Sequence, residues 1–115
     1  MDKLQDLTNK ILAFREARNW QQFHKPKDLA MSLVLEAAEV MEHFQWRSNE
    51  EIEEYIKTHK SEIAEELADT LYWVLLISHD LDIDIIEAAH KKIEKNALKY
   101  PIEKAKNTHT KYSKL

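Results

Sequence analysis

The chain of 115 residues contains no glycine and only two prolines. Sheet-rich folds depend on turns with positive φ, which glycine usually supplies, so its absence favours long helices joined by short polar links. It also excludes the glycine-rich loops that cradle phosphates in P-loop and dinucleotide-binding proteins. If this chain handles phosphate, side chains and a metal ion must hold it.

Cysteine is absent as well, which excludes disulfide scaffolds, thiol catalysis and cysteine-based zinc sites. The N-terminus lacks an apolar signal core, and the longest uncharged apolar run, residues 71–77, is far too short to cross a bilayer. A net charge of −4 argues against broad binding to nucleic acid. We therefore expect a cytoplasmic protein that uses neither a membrane nor a nucleic acid as partner.

Apolar residues make up 43% of the chain and recur at helical spacing. The spacing predicts a first helix over about residues 2–19. A second helix is expected from Lys27 or Asp28 to about Phe44, because Pro26 disfavours helix before it and suits a helix start.

Further along, the pattern predicts a short acidic helix near residues 50–57, a separate long third helix, and a fourth helix that Pro101 follows. These helices are expected to begin at polar capping residues: Ser48 or Asn49, Thr58 or Ser61, and Asp82 or Asp84. The prediction is an all-α bundle of four to five helices in a single domain, 1–115. Its core is expected over about residues 4–101, and residues 102–115 are expected to form a polar, frayed tail.

Carboxylates interrupt the apolar stripes of two predicted helices. Glu36 and Glu39 lie three residues apart in the second helix, and Glu66 and Asp69 repeat the spacing in the third. Residues three apart project side by side, and clustered buried carboxylates are very costly unless they are neutralised. Three interpretations stay open at this point: the groups face water, they are partly protonated, or a hard divalent cation lies among them.

The motifs together resemble one family. The segments "RNWQQFHKPKDLAMSLVLEAAEVMEHFQWR" and "EIAEELADTLYWVLL" are similar to those of the all-α nucleoside triphosphate pyrophosphohydrolases, most of all the MazG-like proteins and the dCTP pyrophosphatases. The shared signature is E-x-x-E, about 26 residues, then E-x-x-D, with "FQW" between them and "N-x-x-x-Y-P" after them. The resemblance implies an oligomeric helical bundle, a dimer or tetramer. It also implies Mg²⁺-dependent hydrolysis of a nucleoside triphosphate to the monophosphate and pyrophosphate.

By this resemblance, Glu36, Glu39, Glu66 and Asp69 are the metal-binding and catalytic acids, with Mn²⁺ as a possible substitute for Mg²⁺. Which of them takes the proton of the attacking water stays open, with Glu39 preferred. Other candidates are aromatic, cationic or polar groups suited to a base or to phosphates. They are Trp20, His24, Lys27, Trp46, Trp73, Lys92, Asn96, Lys99 and Tyr100.

The resemblance predicts dCTP as the best substrate and a role in cleaning the nucleotide pool. The sequence departs from the dCTP pyrophosphatases at Ile11 and Trp73, where those proteins carry His and Tyr. The resemblance therefore predicts the preferred base less firmly than the reaction. A non-catalytic helical interaction module is the alternative, although the core of an interface is normally depleted in charge. A di-iron bundle needs two E-x-x-H motifs, and this chain has one, from Glu87 to His90.

Overall fold

The computed structural model describes residues 2–115. Over these residues the chain is helical without strands, which confirms the all-α prediction. No helix in this part of the chain is long and apolar enough to span a membrane. In chain order the elements are α1 (Lys3–Ala17), a 3₁₀-helix (Trp20–Phe23), α2 (Pro26–Glu42), α3 (Asn49–Asp80), α4 (Ile85–Lys99), α5 (Ile102–Ala105) and a second 3₁₀-helix (Tyr112–Lys114).

The chain divides into two compact units, the described residues up to Asp82 and Ile83–Leu115. In the first unit α2 packs along α3, and α1 packs against α3 as well. The second unit contains α4, α5 and the C-terminal 3₁₀-helix. Residues 102–115, expected to be frayed, therefore include two short helical elements. Both are a single turn long, which apolar periodicity does not reveal.

Local chemistry explains where the helices begin. Pro26 occupies the first turn of α2, where its missing N–H costs nothing. Ser48 caps α3 through a capping box: its hydroxyl accepts from the Glu51 N–H at 3.2 Å, and the Glu51 carboxylate accepts from the Ser48 N–H at 3.1 Å. Asp84 caps α4 by accepting from the Glu87 N–H at 3.1 Å.

The predicted division between a short acidic helix and a long third helix is confirmed as a kink within α3 at His59. Two helical segments meet there, and the backbone of His59 is non-helical at φ −121° and ψ 15°. Thr58 does not cap a new helix; its hydroxyl donates back to the Tyr55 carbonyl at 3.3 Å. The His59 ring also lies 3.0 Å from that carbonyl oxygen. The side chains of Thr58 and His59 thus both contact the Tyr55 carbonyl oxygen at the kink, and helical structure resumes after it.

Left-handed backbone occurs at three described positions, Asn19, Asp82 and Asn107, with φ of 52°, 55° and 67°. Short polar side chains tolerate this region best after glycine. The first two lie where α1 leads into the 3₁₀-helix and where the chain turns after α3. A chain without glycine therefore makes its sharp links with Asn and Asp.

The core of the first unit joins its three long helices. Ile11 from α1, Leu29 from α2, and Leu75 and Leu76 from α3 are buried. Burying such side chains is the main favourable contribution to folding, about 1.5–3 kcal/mol for each.

One charge is buried beside this core. The Arg15 guanidinium on α1 is almost fully buried and makes two 2.8 Å hydrogen bonds to the carboxylate of Asp80 at the end of α3. The hydrogen bonds from Arg15, together with its charge, lower the pKa of Asp80. This bidentate pair connects α1 to the C-terminal end of α3.

We expect Asp80→Asn to lower the free energy of unfolding by about 2–3 kcal/mol, because it leaves a buried guanidinium without its counter-charge. Since the folded pKa of Asp80 is depressed, this contribution is present at neutral pH. It is lost as the pH falls through the folded pKa, so the two proteins should converge in acid. Urea denaturation across pH measures both effects.

The matched control is Glu54→Gln, which removes an exposed ion pair to Lys57 on the same helix and should change stability by less than about 0.5 kcal/mol. Equal losses in the two variants would contradict a structural role for the Arg15–Asp80 pair.

Candidate active site

The four predicted acids lie on the two helices that pack most extensively, Glu36 and Glu39 on α2, and Glu66 and Asp69 on α3. Burial is the largest effect that raises the pKa of Glu36, followed by the negative charges of Glu39 and Asp69. A hydrogen bond with the Glu39 side chain and the charge of Glu66 raise it further. The structure therefore brings the two E-x-x-E/D pairs within electrostatic reach of one another.

The Oε2 atom of Glu36 is buried and has no hydrogen-bond partner. A buried carboxylate oxygen without a donor is unfavourable, and a cation among the neighbouring acids would satisfy it. The donor set is all oxygen, the type that Mg²⁺ prefers. In the described residues, no three or more acidic or histidine side chains are already grouped as a metal site. Mutual repulsion between carboxylates opposes such grouping in the absence of a cation.

Glu66 has a histidine side chain as its neighbour. His43, which caps the C-terminus of α2, places its Nε2 atom 3.6 Å from the Glu66 carboxylate. The other ring nitrogen, Nδ1, lies 2.5 Å from the Tyr55 hydroxyl. From the sequence, His43 follows Glu39 by one turn and was expected to be either an outer partner of the acids or a contact between subunits. The part played by Tyr55 was not anticipated.

A cavity of about 470 Å³ opens beside the acids. Its lining combines two of the acids with aromatic and aliphatic side chains from α1, α3 and the first 3₁₀-helix. The lining residues are Lys10, Ile11, Phe14, Trp20, Glu36, Asp69, Tyr72 and Trp73. The predicted tryptophans Trp20 and Trp73 are thus brought to one place with Glu36 and Asp69, and Ile11 lies there too.

The cavity also includes three residues that were not predicted to belong to the site, Lys10, Phe14 and Tyr72. The available signal was spacing, because residues 10, 11 and 14 share one face of α1, and residues 69, 72 and 73 share one face of α3. Phe14 makes edge-to-face contacts with Trp20 at 5.8 Å and with Tyr72 at 6.2 Å between ring centroids. Tyr72 meets Trp73 in the same way at 5.0 Å. The aromatic wall is therefore braced by its own ring contacts.

His24 lies behind this wall, with its ring edge-to-face against Trp73 at 5.5 Å. Its Nδ1 atom is buried without a hydrogen-bond partner. Burial lowers the pKa of His24, and the positive charge of Arg15 lowers it further against the opposing effects of Asp80 and Asp28. Burial thus disfavours the charged form of His24 where its ring contacts the cavity wall.

Two other candidates from this unit lie outside the lining of the cavity. Trp46, in the turn after α2, is 85% exposed. Lys27 lines a separate groove of about 380 Å³ on α2, together with Met31, Val34 and Leu35. Their roles in substrate binding stay predictions.

The remaining candidates belong to the second unit. Lys92, Asn96 and Lys99 lie on α4, and Tyr100 caps its C-terminus by donating its N–H to the Asn96 carbonyl at 2.8 Å. The Lys99 ammonium lies 4.9 Å from the centre of the Tyr112 ring. These side chains are exposed, so they are accessible to a ligand.

Comparison with known proteins gives consistent results. A model of the MazG-like family matches residues 31–115. The chain is 30% identical over 114 residues to dCTP pyrophosphatase 1 of Mus musculus and of Homo sapiens, covering 97% of this chain and 67% of theirs. It is also similar to the crystal structure of a pyrophosphatase from Archaeoglobus fulgidus, with 40% sequence identity and a TM-score of 0.83. That match covers 88% of this chain and 94% of the other.

The buried Oε2 atom of Glu36, which has no hydrogen-bond partner, should lower the stability of the metal-free protein. Glu36→Gln should raise the melting temperature of the metal-free protein at about pH 8, because the amide keeps the size of the side chain and removes its charge. Since the folded pKa of Glu36 is raised, the penalty on the wild type grows as the pH rises from the unfolded pKa to the folded pKa. The difference should therefore disappear in acid.

Thermal denaturation in a chelator measures this effect. Glu42→Gln, on the same helix but exposed, is the control and should leave the melting temperature nearly unchanged. A Glu36→Gln protein no more stable than the control at the higher pH would contradict burial of a charged Glu36.

Proposed function

Because this chain belongs to the MazG-like family, we propose that it is a nucleoside triphosphate pyrophosphohydrolase that acts on dCTP first among the nucleotides. One observation carries the proposal: an aromatic cavity of about 470 Å³ is lined by two of the four predicted acids, Glu36 and Asp69. A nucleotide requires both features side by side, since its base stacks on rings and its phosphates need a metal held by carboxylates.

We propose Mg²⁺ as the cofactor, with Mn²⁺ as a substitute, held by Glu36, Glu39, Glu66 and Asp69. The buried, unpartnered Oε2 atom of Glu36 supports this choice, because it is an oxygen donor with no other occupation. Bound in such a site, the ion supplies charge neutralisation for the phosphates and a lowered pKa for water.

In this proposal the acids carry out the chemical step and the cavity binds the nucleoside. A water oxygen forms a bond to the α-phosphorus, the bond from that phosphorus to the bridging oxygen breaks, and pyrophosphate leaves with that oxygen. Glu39, which is exposed on α2 beside Glu36, is the carboxylate that we propose accepts the proton of the water. No covalent intermediate is needed, because positioning and charge neutralisation supply most of the catalysis in phosphoryl transfer.

The cavity would bind the base and the sugar. Trp20 and Trp73 offer aromatic faces, and Ile11 contributes a buried aliphatic surface. A ribose 2′-hydroxyl placed against such a surface loses its water without gaining a partner, which costs about 1–3 kcal/mol. This favours a deoxyribose over a ribose. The name of the curated relatives, dCTP pyrophosphatase 1, supports cytosine as the base.

Cations are needed for the triphosphate. Among the residues that line the cavity, Lys10 carries the positive charge, and it already pairs with Asp6 at 3.3 Å. We propose that Lys10 moves to the substrate when the substrate binds. Resemblance assigns further phosphate contacts to Lys92 and Asn96, and Lys99 and Tyr100 stay candidates for binding the substrate.

We also propose that the enzyme is a homo-oligomer, a dimer or tetramer. The groove on α2 exposes Met31, Val34 and Leu35 by 55%, 66% and 65%. A contiguous apolar groove of this kind is typical of a surface that another chain covers. The same groove is the observation that favours the second candidate function, a helical interaction module without catalysis.

The acids provide the first test. We expect the pyrophosphohydrolase activity to require Mg²⁺ or Mn²⁺ and to fall at least about 100-fold in each of four variants, because each removes a ligand charge while keeping size and polarity. The variants are Glu36→Gln, Glu39→Gln, Glu66→Gln and Asp69→Asn. Glu42→Gln, outside both pairs, should keep wild-type activity. Full activity in two or more of the four variants would contradict the assignment of the site. A wild-type protein that is inactive both with and without the metal ion would favour the interaction module.

Product analysis provides the second test. With dCTP, CTP and dATP as substrates, the products should be a monophosphate and pyrophosphate, and kcat/KM should favour dCTP over CTP by roughly 5- to 150-fold. Chromatography that separates pyrophosphate from orthophosphate decides the reaction type. Orthophosphate as the primary product would overturn the proposed cleavage, whereas equal rates for dCTP and CTP would overturn only the sugar preference.

A further inference from the structure

His43 is largely buried at the end of α2, and one of its ring nitrogens faces Glu66, one of the four predicted acids. Its side chain is 13% exposed, and that of Glu66 is 24% exposed. Its Nε2 atom lies 3.6 Å from Oε2 of Glu66, and its Nδ1 atom lies 2.5 Å from the Tyr55 hydroxyl. The imidazole therefore bridges a candidate metal ligand on one side and a phenol on the other.

The chemistry of these groups fixes the proton on the ring. An ionised carboxylate only accepts hydrogen bonds, so the nitrogen that faces Glu66 must carry hydrogen in both the neutral and the charged forms of His43. With hydrogen on Nε2, the Nδ1 atom of the neutral ring is an acceptor, and the Tyr55 O–H can donate to it. Because a phenol can either donate or accept, Tyr55 orients the ring, and the Glu66 carboxylate favours the tautomer that presents N–H to it. At 3.6 Å the contact with Glu66 is an electrostatic attraction that a small shift would tighten into a hydrogen bond.

Tyr55 is itself held in place from both faces. The Arg47 guanidinium lies 3.8 Å from the centre of the Tyr55 ring. The His59 ring stacks on it at 3.9 Å, with 3° between the planes. The kink at His59 belongs to this arrangement, since the same ring also reaches the Tyr55 carbonyl. Arg47 in turn donates to the His43 carbonyl at 2.5 Å.

We propose that His43 is a positioning residue for Glu66: its Nε2–H, oriented by Tyr55, aims the Glu66 carboxylate at the metal ion of the acid cluster. The inference rests on the proposed function, which makes Glu66 a metal ligand. Outer partners of ligands are worth about 10- to 100-fold in metal affinity, because they remove alternative orientations of the ligand. A residue that served only for packing would need no nitrogen directed at the carboxylate.

The test measures Mn²⁺ binding to the full chain without nucleotide, by the loss of the free-ion signal in electron paramagnetic resonance. We expect His43→Leu to weaken Mn²⁺ binding about 10- to 100-fold. His43→Gln should remain within about threefold of the wild type, because its amide can present N–H where Nε2 stood. Tyr55→Phe removes the hydroxyl that orients the His43 ring and should give an intermediate loss.

Two further variants make the outcomes separable. Glu62→Gln, one turn before Glu66 and exposed beside His59, is the matched control and should bind Mn²⁺ as the wild type does. Glu66→Gln tests the underlying site: wild-type affinity in this variant would overturn the metal site itself. If Glu66→Gln loses binding but His43→Leu does not, the proposed function stands and the positioning role fails. A His43→Leu protein that melts at lower temperature with unchanged affinity would likewise show a merely structural histidine. Should that variant not fold, Tyr55→Phe decides, and wild-type affinity there would overturn the inference.

Discussion

The partly buried carboxylate of Glu36, with other acids near it, is the constraint on which the site of the first unit depends. The side chain of Glu36 is drawn into the contact between α2 and α3, where Glu39, Glu66 and Asp69 all add negative potential. Folding alone gains nothing from this arrangement, since apolar side chains at the same positions would pack without an electrostatic cost. The helices that carry the acids must therefore be held together by other contacts, and the surrounding structure supplies them.

Two of these contacts act at opposite ends of α3. Near its start, the Tyr55 ring and His43 connect the end of α2 to the helix. At its end, the Asp80 carboxylate accepts two hydrogen bonds from Arg15 and so connects α1 to α3. Because Arg15 follows Phe14 on α1, the ion pair also determines where the aromatic wall of the cavity stands relative to the acids. α3, with its kink at His59, thus carries residues that belong to the cavity, to the acids and to the contact with His43.

Local rules predicted much of this and failed where the interaction was distant. Pro26, the Ser48 capping box and the three-residue spacing of the acids depend on neighbours within one turn, so the sequence revealed them. The Arg15–Asp80 pair joins residues 65 apart, and no periodicity announces it. The division predicted after residue 57 was likewise local, and it is present as the kink at His59. Only its cap differs, because the Thr58 hydroxyl bonds back to the Tyr55 carbonyl.

The links made by Asn19, Asp82 and Asn107 have a consequence for the unfolded chain. Glycine would adopt their left-handed backbone without strain, but it would also give the denatured ensemble many more conformations to lose. Each side chain that replaces glycine saves roughly 0.4–1 kcal/mol of that entropy where the native backbone tolerates it. Asn and Asp at these links thus offset part of the entropy cost of folding through the unfolded chain, without adding a contact to the native structure.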